Sequence, residues 1–168
     1  MLKNTATEVD ATDLRLLSLL QKDATLSNQA LAEAAHVSPT TCHRRVKRLW
    51  DLGLIEKQVA ILSPERLAAL VGWGLSVLVE VSLDHQTQEA LDAFEARAVA
   101  DARVQQCWRV SPGPDFVLVV LVPDMPSYQD LARDLFTQDR QVRNVRAFFA
   151  VKRAKFGTQL PIPGQSPD

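Results

Sequence analysis

The chain is poor in cysteine and tyrosine and has no excess of charge of either sign. Two Cys and one Tyr occur among 168 residues, with a formal net charge of −1 and a pI near 6.3. Cys42 and Cys107 are far apart and form no CxxC pair, which excludes a disulfide framework or a zinc finger. No run approaches the roughly 18 apolar residues that a membrane span needs. Residues 1–10 (MLKNTATEVD) lack the apolar core of a secretion signal. The expectation is a soluble, cytoplasmic protein with no membrane partner. What is present is 46% hydrophobic residues, ample for buried cores and incompatible with wholesale disorder. The near-neutral total argues against a nucleic-acid partner only if the charge is evenly spread.

Hydrophobic spacing divides the chain. Asp10 caps a predicted helix through Leu14, Leu16, Leu17 and Leu20, with Asp13 favourable at its positive end. Ser27 opens a shorter helix that His36-Val37 interrupts. Ser38-Pro39 then restarts a helix running to about Leu52, where Gly53 stops it. The stretch Ile55 to Leu62 is β-like, and Ser63-Pro64 opens a connector helix ending near Gly72. Beyond it, Leu75, Val77, Val79, Val81 and Leu83 alternate with polar residues as a half-buried strand does. A helix over 87–99, strands over 104–110 and 115–122, a helix over 126–137 and a strand over 142–151 complete a β-α-β-β-α-β order, the ferredoxin-like arrangement. The predicted class is α+β: a winged helix-turn-helix domain (8–62), a connector (63–72), a ferredoxin-like domain (73–156) and a loosely held tail (157–168).

Local charge resolves the apparent objection to nucleic acid. Residues 1–60 sum to +1 and residues 61–168 to −2, yet residues 38–50 alone carry +4 from Arg44, Arg45, Lys47 and Arg48. On a helical wheel Cys42, Val46 and Leu49 share the core stripe. Thr40, Thr41, His43, Arg44, Lys47 and Arg48 fall mainly on the other side, with Arg45 near the boundary. A cationic helix face is often only a solvated face. Here it follows a short helix and a tight turn, the layout whose second helix enters the DNA major groove. Double-stranded DNA is therefore the expected partner, met by Asn28, Ser38, Thr40, Thr41, His43, Arg44, Arg45, Lys47 and Arg48, with Lys57 on a wing.

Other chemistry is weakly represented. Gly72-Trp73-Gly74 precedes a strand instead of following one and lacks a third glycine, so it is a hinge rather than a dinucleotide fingerprint. His36, His43 and His85 have no ligand spacing with each other or with the cysteines, so no metal and no cofactor is expected. Cys42 lies on a buried stripe and Cys107 has no neighbouring base, and no Ser/His/Asp set can be assembled; no catalytic residue is assigned. Gly113 and Asp115 are turn formers that also offer backbone and a carboxylate to a ligand. Phe116 to Val122 is apolar on both faces, so something must cover the second one, and a second copy of the chain is the simplest candidate.

These features together resemble the Lrp/AsnC family of regulators. The resemblance spans about Val9 to Ile162 and rests on LSNQALAEAAHVSPTTCHRRVKRLWDLGLIEKQVAIL, on VQQCWRVSPGPDF around a Gly-Asp loop, and on KFGTQLPI. It implies a DNA-binding transcriptional regulator that forms homodimers and higher oligomers, tetramers or octamers, and takes a small effector, often an amino acid. Carried over by position, Trp108, Gly113 and Asp115 are the effector residues. Two positions depart from the family pattern: Pro112 stands where a glycine is usual, removing a backbone donor, and Ala147 where a Ser or Thr is common. They motivate a second reading, a DNA-organising regulator that senses no ligand. Some proteins of this architecture resemble sirohaem decarboxylases, which lack a working recognition helix; the four cations of residues 38–50 weigh against that reading.

Overall fold

In the computed structural model, which describes residues 9–72 and 74–163, the chain enters its first helix through a capping box. The Asp10 carboxylate accepts the Thr12 and Asp13 amides, and Asp13 in turn accepts the Asp10 amide, fixing the start of α1 (Ala11–Lys22). Ser27 caps α2 (Asn28–Ala35), and Ser38 with Pro39 at the first position starts α3 (Pro39–Asp51). Between them His36 takes the left-handed conformation (φ 57°), and the Val37 amide returns to the Ala32 carbonyl. This single residue makes the tight turn. Gly53, at φ 70°, ends α3 as expected. Leu16, Leu31, Ala32, Ala35, Cys42 and Leu49 bury one cluster among the three helices, with Val46 packed against it.

The sequence between Ile55 and Leu62 has a strand-like composition but forms an extended segment with no strand here, which corrects the expected β-like conformation of this stretch. A single extended segment cannot satisfy its own backbone, and no other described segment pairs with it.

The chain falls into two compact units. One comprises residues through Ala60 together with the stretch from Lys155 onward; the other runs from Ile61 to Ala154. The second unit begins with α4 (Pro64–Val71), capped by Ser63 and ended by Gly72 at φ 75°. Next come β1 (Leu75–Leu83), α5 (Gln88–Ala100), β2 (Val104–Arg109), β3 (Phe116–Val122), α6 (Met125–Ala132) and β4 (Val142–Phe149). The strands form one antiparallel sheet in the order β2-β3-β1-β4. The helix expected over 126–137 divides after Ala132 into a π-helical turn, Arg133–Thr137, and β4 stops at Phe149 rather than residue 151.

Alternation in β1 and β3 sets the two faces of this sheet. Val77, Val79, Val81, Leu83, Phe116, Leu118, Val120 and Val122 are buried against Ala90, Phe94 and Ala98 of α5 and Tyr128 and Leu131 of α6. Each large apolar side chain fully buried in this way contributes on the order of 1.5–3 kcal/mol. The opposite face carries Leu78, Trp108, Val117, Val119 and Phe148, matched by the register pairs Leu78↔Val119, Leu78↔Phe148 and Trp108↔Val117. Leu78, Trp108 and Phe148 are 44%, 57% and 46% exposed.

One residue of the tail is tied down. Leu160 donates its amide to Gln21 Oε1 at 2.8 Å, and Gln21 Nε2 donates to the Leu160 carbonyl at 2.9 Å, so the segment is clasped to α1. Glu8, Trp73 of the Gly72-Trp73-Gly74 hinge and tail residues 164–168 lie outside the described residues.

Candidate nucleic-acid interface

The geometry of α3 follows from where its core stripe points. Cys42 and Leu49 are fully buried, which turns Thr40, His43, Arg44 and Lys47 outward. Arg44 and Lys47 form no ion pair with any described residue, and neither does Lys57 on the extended segment after α3. The result is an exposed cationic strip on the second helix of a helix-turn-helix.

The remaining polar residues of the motif are engaged in building it. Ser38 Oγ accepts the Thr41 amide at 3.2 Å and donates to the Thr41 hydroxyl at 2.8 Å. Asn28 donates its side-chain amide to the Pro39 carbonyl at 2.9 Å, tying the start of α2 to the start of α3. Arg15 donates to the Ala35 carbonyl at 3.1 Å, occupying an acceptor that the end of α2 leaves open.

Arg45, expected near the boundary of the stripe, and Arg48, expected on the outward side, differ from their neighbours in being ion-paired to α1. Arg45 Nη1 lies 2.7 Å from Asp10 Oδ2 and 3.0 Å from Asp13 Oδ1, while Arg48 pairs with the second Asp13 oxygen. Asp13 has no solvent exposure. The Asp13 amide and the Arg45 guanidinium hold the Asp10 carboxyl below its ordinary range, and the same carboxylates push Arg45 upward. Burial pushes the Cys42 thiol up, as suits an inert core residue. Asp13 is the functional-site residue that sequence reasoning placed only as a helix-end charge. Its signal was two aspartates three apart at the start of α1, facing two arginines three apart at the edge of the α3 core stripe.

The three effector candidates are not brought together as a ligand site. Asp115 is buried: Leu83 donates its amide to Asp115 Oδ2 at 2.7 Å, and the Asp115 amide donates to the Val81 carbonyl at 2.9 Å. Its carboxylate thus fastens the turn to the end of β1. Gly113 lies in the exposed turn at φ 128°, which suits a residue without Cβ. Trp108 sits on the open sheet face, its indole N–H donating to Gln106. Ala147, opposite Val79, packs against the apolar core. No group of three or more His, Cys, Asp or Glu suited to a metal occurs among the described residues. No described helix is long and apolar enough to cross a membrane.

A helix-turn-helix with a free cationic strip, followed by an α+β sheet domain, defines a DNA-binding regulator with an attached second domain. Residues 9–56 match the family of winged helix-turn-helix DNA-binding domains, and residues 76–160 match the Lrp/AsnC ligand binding domain. The chain belongs to the Lrp/AsnC family and is a DNA-binding transcriptional regulator, not an enzyme. It is 36% identical over 154 residues to the DNA-binding transcriptional activator DecR of Escherichia coli, covering 92% of this chain and 99% of that one. Identity to the leucine-responsive regulatory protein of the same organism is 31% over 160 residues, 95% of each chain. Among solved structures, transcriptional regulator NMB0573 of Neisseria meningitidis in complex with L-Met superposes with a TM-score of 0.81 at 29% identity, covering 92% of this chain and 97% of the other.

Proposed function

We propose that this regulator binds double-stranded DNA as a homodimer, with Thr40, His43, Arg44 and Lys47 on the duplex and Lys57 on the flanking backbone. Arg45 and Arg48 are left out of the DNA face because Asp10 and Asp13 hold their guanidinium groups. The observation that carries the reading is the outward Arg44–Lys47 strip on a helix whose opposite stripe is fully buried. The open sheet face with Leu78, Trp108 and Phe148 supports pairing with a second copy, because an apolar surface of that kind favours burial. Dimers associating further into tetramers or octamers would follow the family's habit.

The test is a salt titration on a short random-sequence duplex. Removing one cation from a phosphate lowers the magnitude of the slope of log affinity against log salt by about 0.9, so Arg44→Ala and Lys47→Ala each lower it by that amount per chain. Unchanged slopes at both positions would remove the proposed face. The same titration reads stoichiometry, with two chains per bound unit expected.

For the second domain, the proposal is a small effector such as an amino acid, received near the exposed Gly113 turn; the L-Met complex of the Neisseria relative supports that ligand class. A ligand-independent regulator is the alternative. It is favoured by Pro112, which offers no amide donor, and by the inward Asp115 carboxylate.

A further inference from the structure

We infer that Asp13, with Asp10, is a specificity-determining clamp: it takes two arginines of the recognition helix out of general phosphate binding and uses them to hold that helix at a set angle on α1. The inference rests on the proposed reading of α3 as the DNA-contacting helix.

Residues 38–50 carry four cations, but they fall into two pairs with opposite fates. Arg44 and Lys47 point to solvent with no described ion-pair partner. Arg45 and Arg48 converge on one fully buried carboxylate, Asp13, and Arg45 is shared with Asp10 at 2.7 Å. Two carboxylates face two guanidinium groups, so this half of the cluster is locally neutral. The Nε atoms of both arginines are themselves buried without a hydrogen-bond partner, which shows how far the side chains have been drawn in between the helices.

This arrangement has a consequence for recognition. Cations that meet phosphates add affinity for every sequence, whereas base-facing side chains discriminate between sequences. Four free cations on so short a helix would raise general affinity without raising discrimination. Tying two of them to α1 lowers that background. The same bonds fix α3 about its own axis, and thereby the direction in which Thr40, His43, Arg44 and Lys47 project. The carboxyl of Asp13 is well suited to this because its oxygens also accept the Asp10 amide, so the clamp is anchored in the capping box of α1.

The clamp predicts an effect opposite to ordinary loss of a salt bridge. Asp13→Asn keeps an acceptor for the Asp10 amide but releases Arg48 and leaves Arg45 held by Asp10 alone. On a short random-sequence duplex it should steepen the slope of log affinity against log salt by about 0.9 per chain, the share of the freed Arg48, and the double variant Asp10→Asn/Asp13→Asn should steepen it by up to about 1.8. Affinity for that duplex should rise, and the preference for a fragment selected from genomic DNA over the random duplex should fall. Asp10→Asn, which keeps a good N-cap, should steepen the slope less, because Arg45 retains Asp13. The double variant Arg45→Ala/Arg48→Ala should leave the wild-type slope unchanged, since those side chains are not spent on phosphate. A merely structural bridge would lower melting temperature in the aspartate variants without moving the slope.

A folded Asp13→Asn with an unchanged or shallower slope overturns the clamp. So does a double arginine variant whose slope falls as far as that of Arg44→Ala. If Asp13→Asn does not fold, Asp10→Asn and the double arginine variant decide the question alone. Failure of the underlying DNA reading is separate: it would appear as no slope change for Arg44→Ala and Lys47→Ala.

Discussion

In the sheet unit the buried cluster includes Phe94, Phe116, Tyr128 and Phe136, with Phe94 and Phe116 ring centroids 4.8 Å apart; in the helical unit the largest side chains of the buried cluster are leucines. The helical unit compensates with polar fastenings. A capping box fixes the start of α1, and two serine caps, the Asn28 bond to Pro39 and the Asp13 ion pairs fix the junctions between its helices. The sheet unit derives its stability from packed area, which is non-directional; the helical unit derives its geometry from a few directional bonds. For a reader of DNA the second is the more useful property, because the angle of α3 matters more than the depth of its core.

Three experiments probe that contrast. The largest expected effect is in the sheet unit: Phe116→Ala removes a fully buried ring between sheet and α5 and should cost about 3–5 kcal/mol in chemical unfolding. The fluorescence of Trp108 should follow this loss. That of Trp50, at the end of α3, should keep its wild-type midpoint; coincident shifts of both would show that the units unfold as one. Next in size is ligand stabilisation. An amino acid from a thermal-shift panel, at 100 times its dissociation constant, should add about 2.7 kcal/mol to the sheet unit. If no amino acid raises the melting temperature, the ligand-independent reading is favoured. The smallest effect belongs to the helical unit. His36→Gly relieves a left-handed backbone at φ 57° and should stabilise by about 1 kcal/mol, read in the Trp50 transition; destabilisation would mean that the imidazole contributes more than the strain costs.

Much of this architecture was legible because its signals are local. Asp10, Ser27 and Ser38 are caps whose amide donors lie two or three residues away, and the alternation from Leu75 to Leu83 needs only one strand to be seen. The outward placement of Thr40, His43, Arg44 and Lys47 likewise followed from the apolar stripe of the same helix. What escaped depends on distant partners. Arg45 meets Asp13 across 32 residues of chain and Arg48 meets it across 35, and no local pattern says which cations will be claimed. Asp115 occupies a turn as expected, yet its direction is decided by the Leu83 amide, 32 residues earlier. The unpaired Ile55–Leu62 stretch shows the converse: its composition suits a strand, but strand formation requires a neighbour.

The Gln21–Leu160 clasp makes the DNA-binding module discontinuous in the gene. Its last piece is translated only after the whole sheet unit, so α1 is made with an open side-chain amide that is answered some 139 residues later. A fragment cut after Ala60 returns that amide to water, and a tag fused close behind Leu160 is attached next to a residue that α1 holds rather than to a free end.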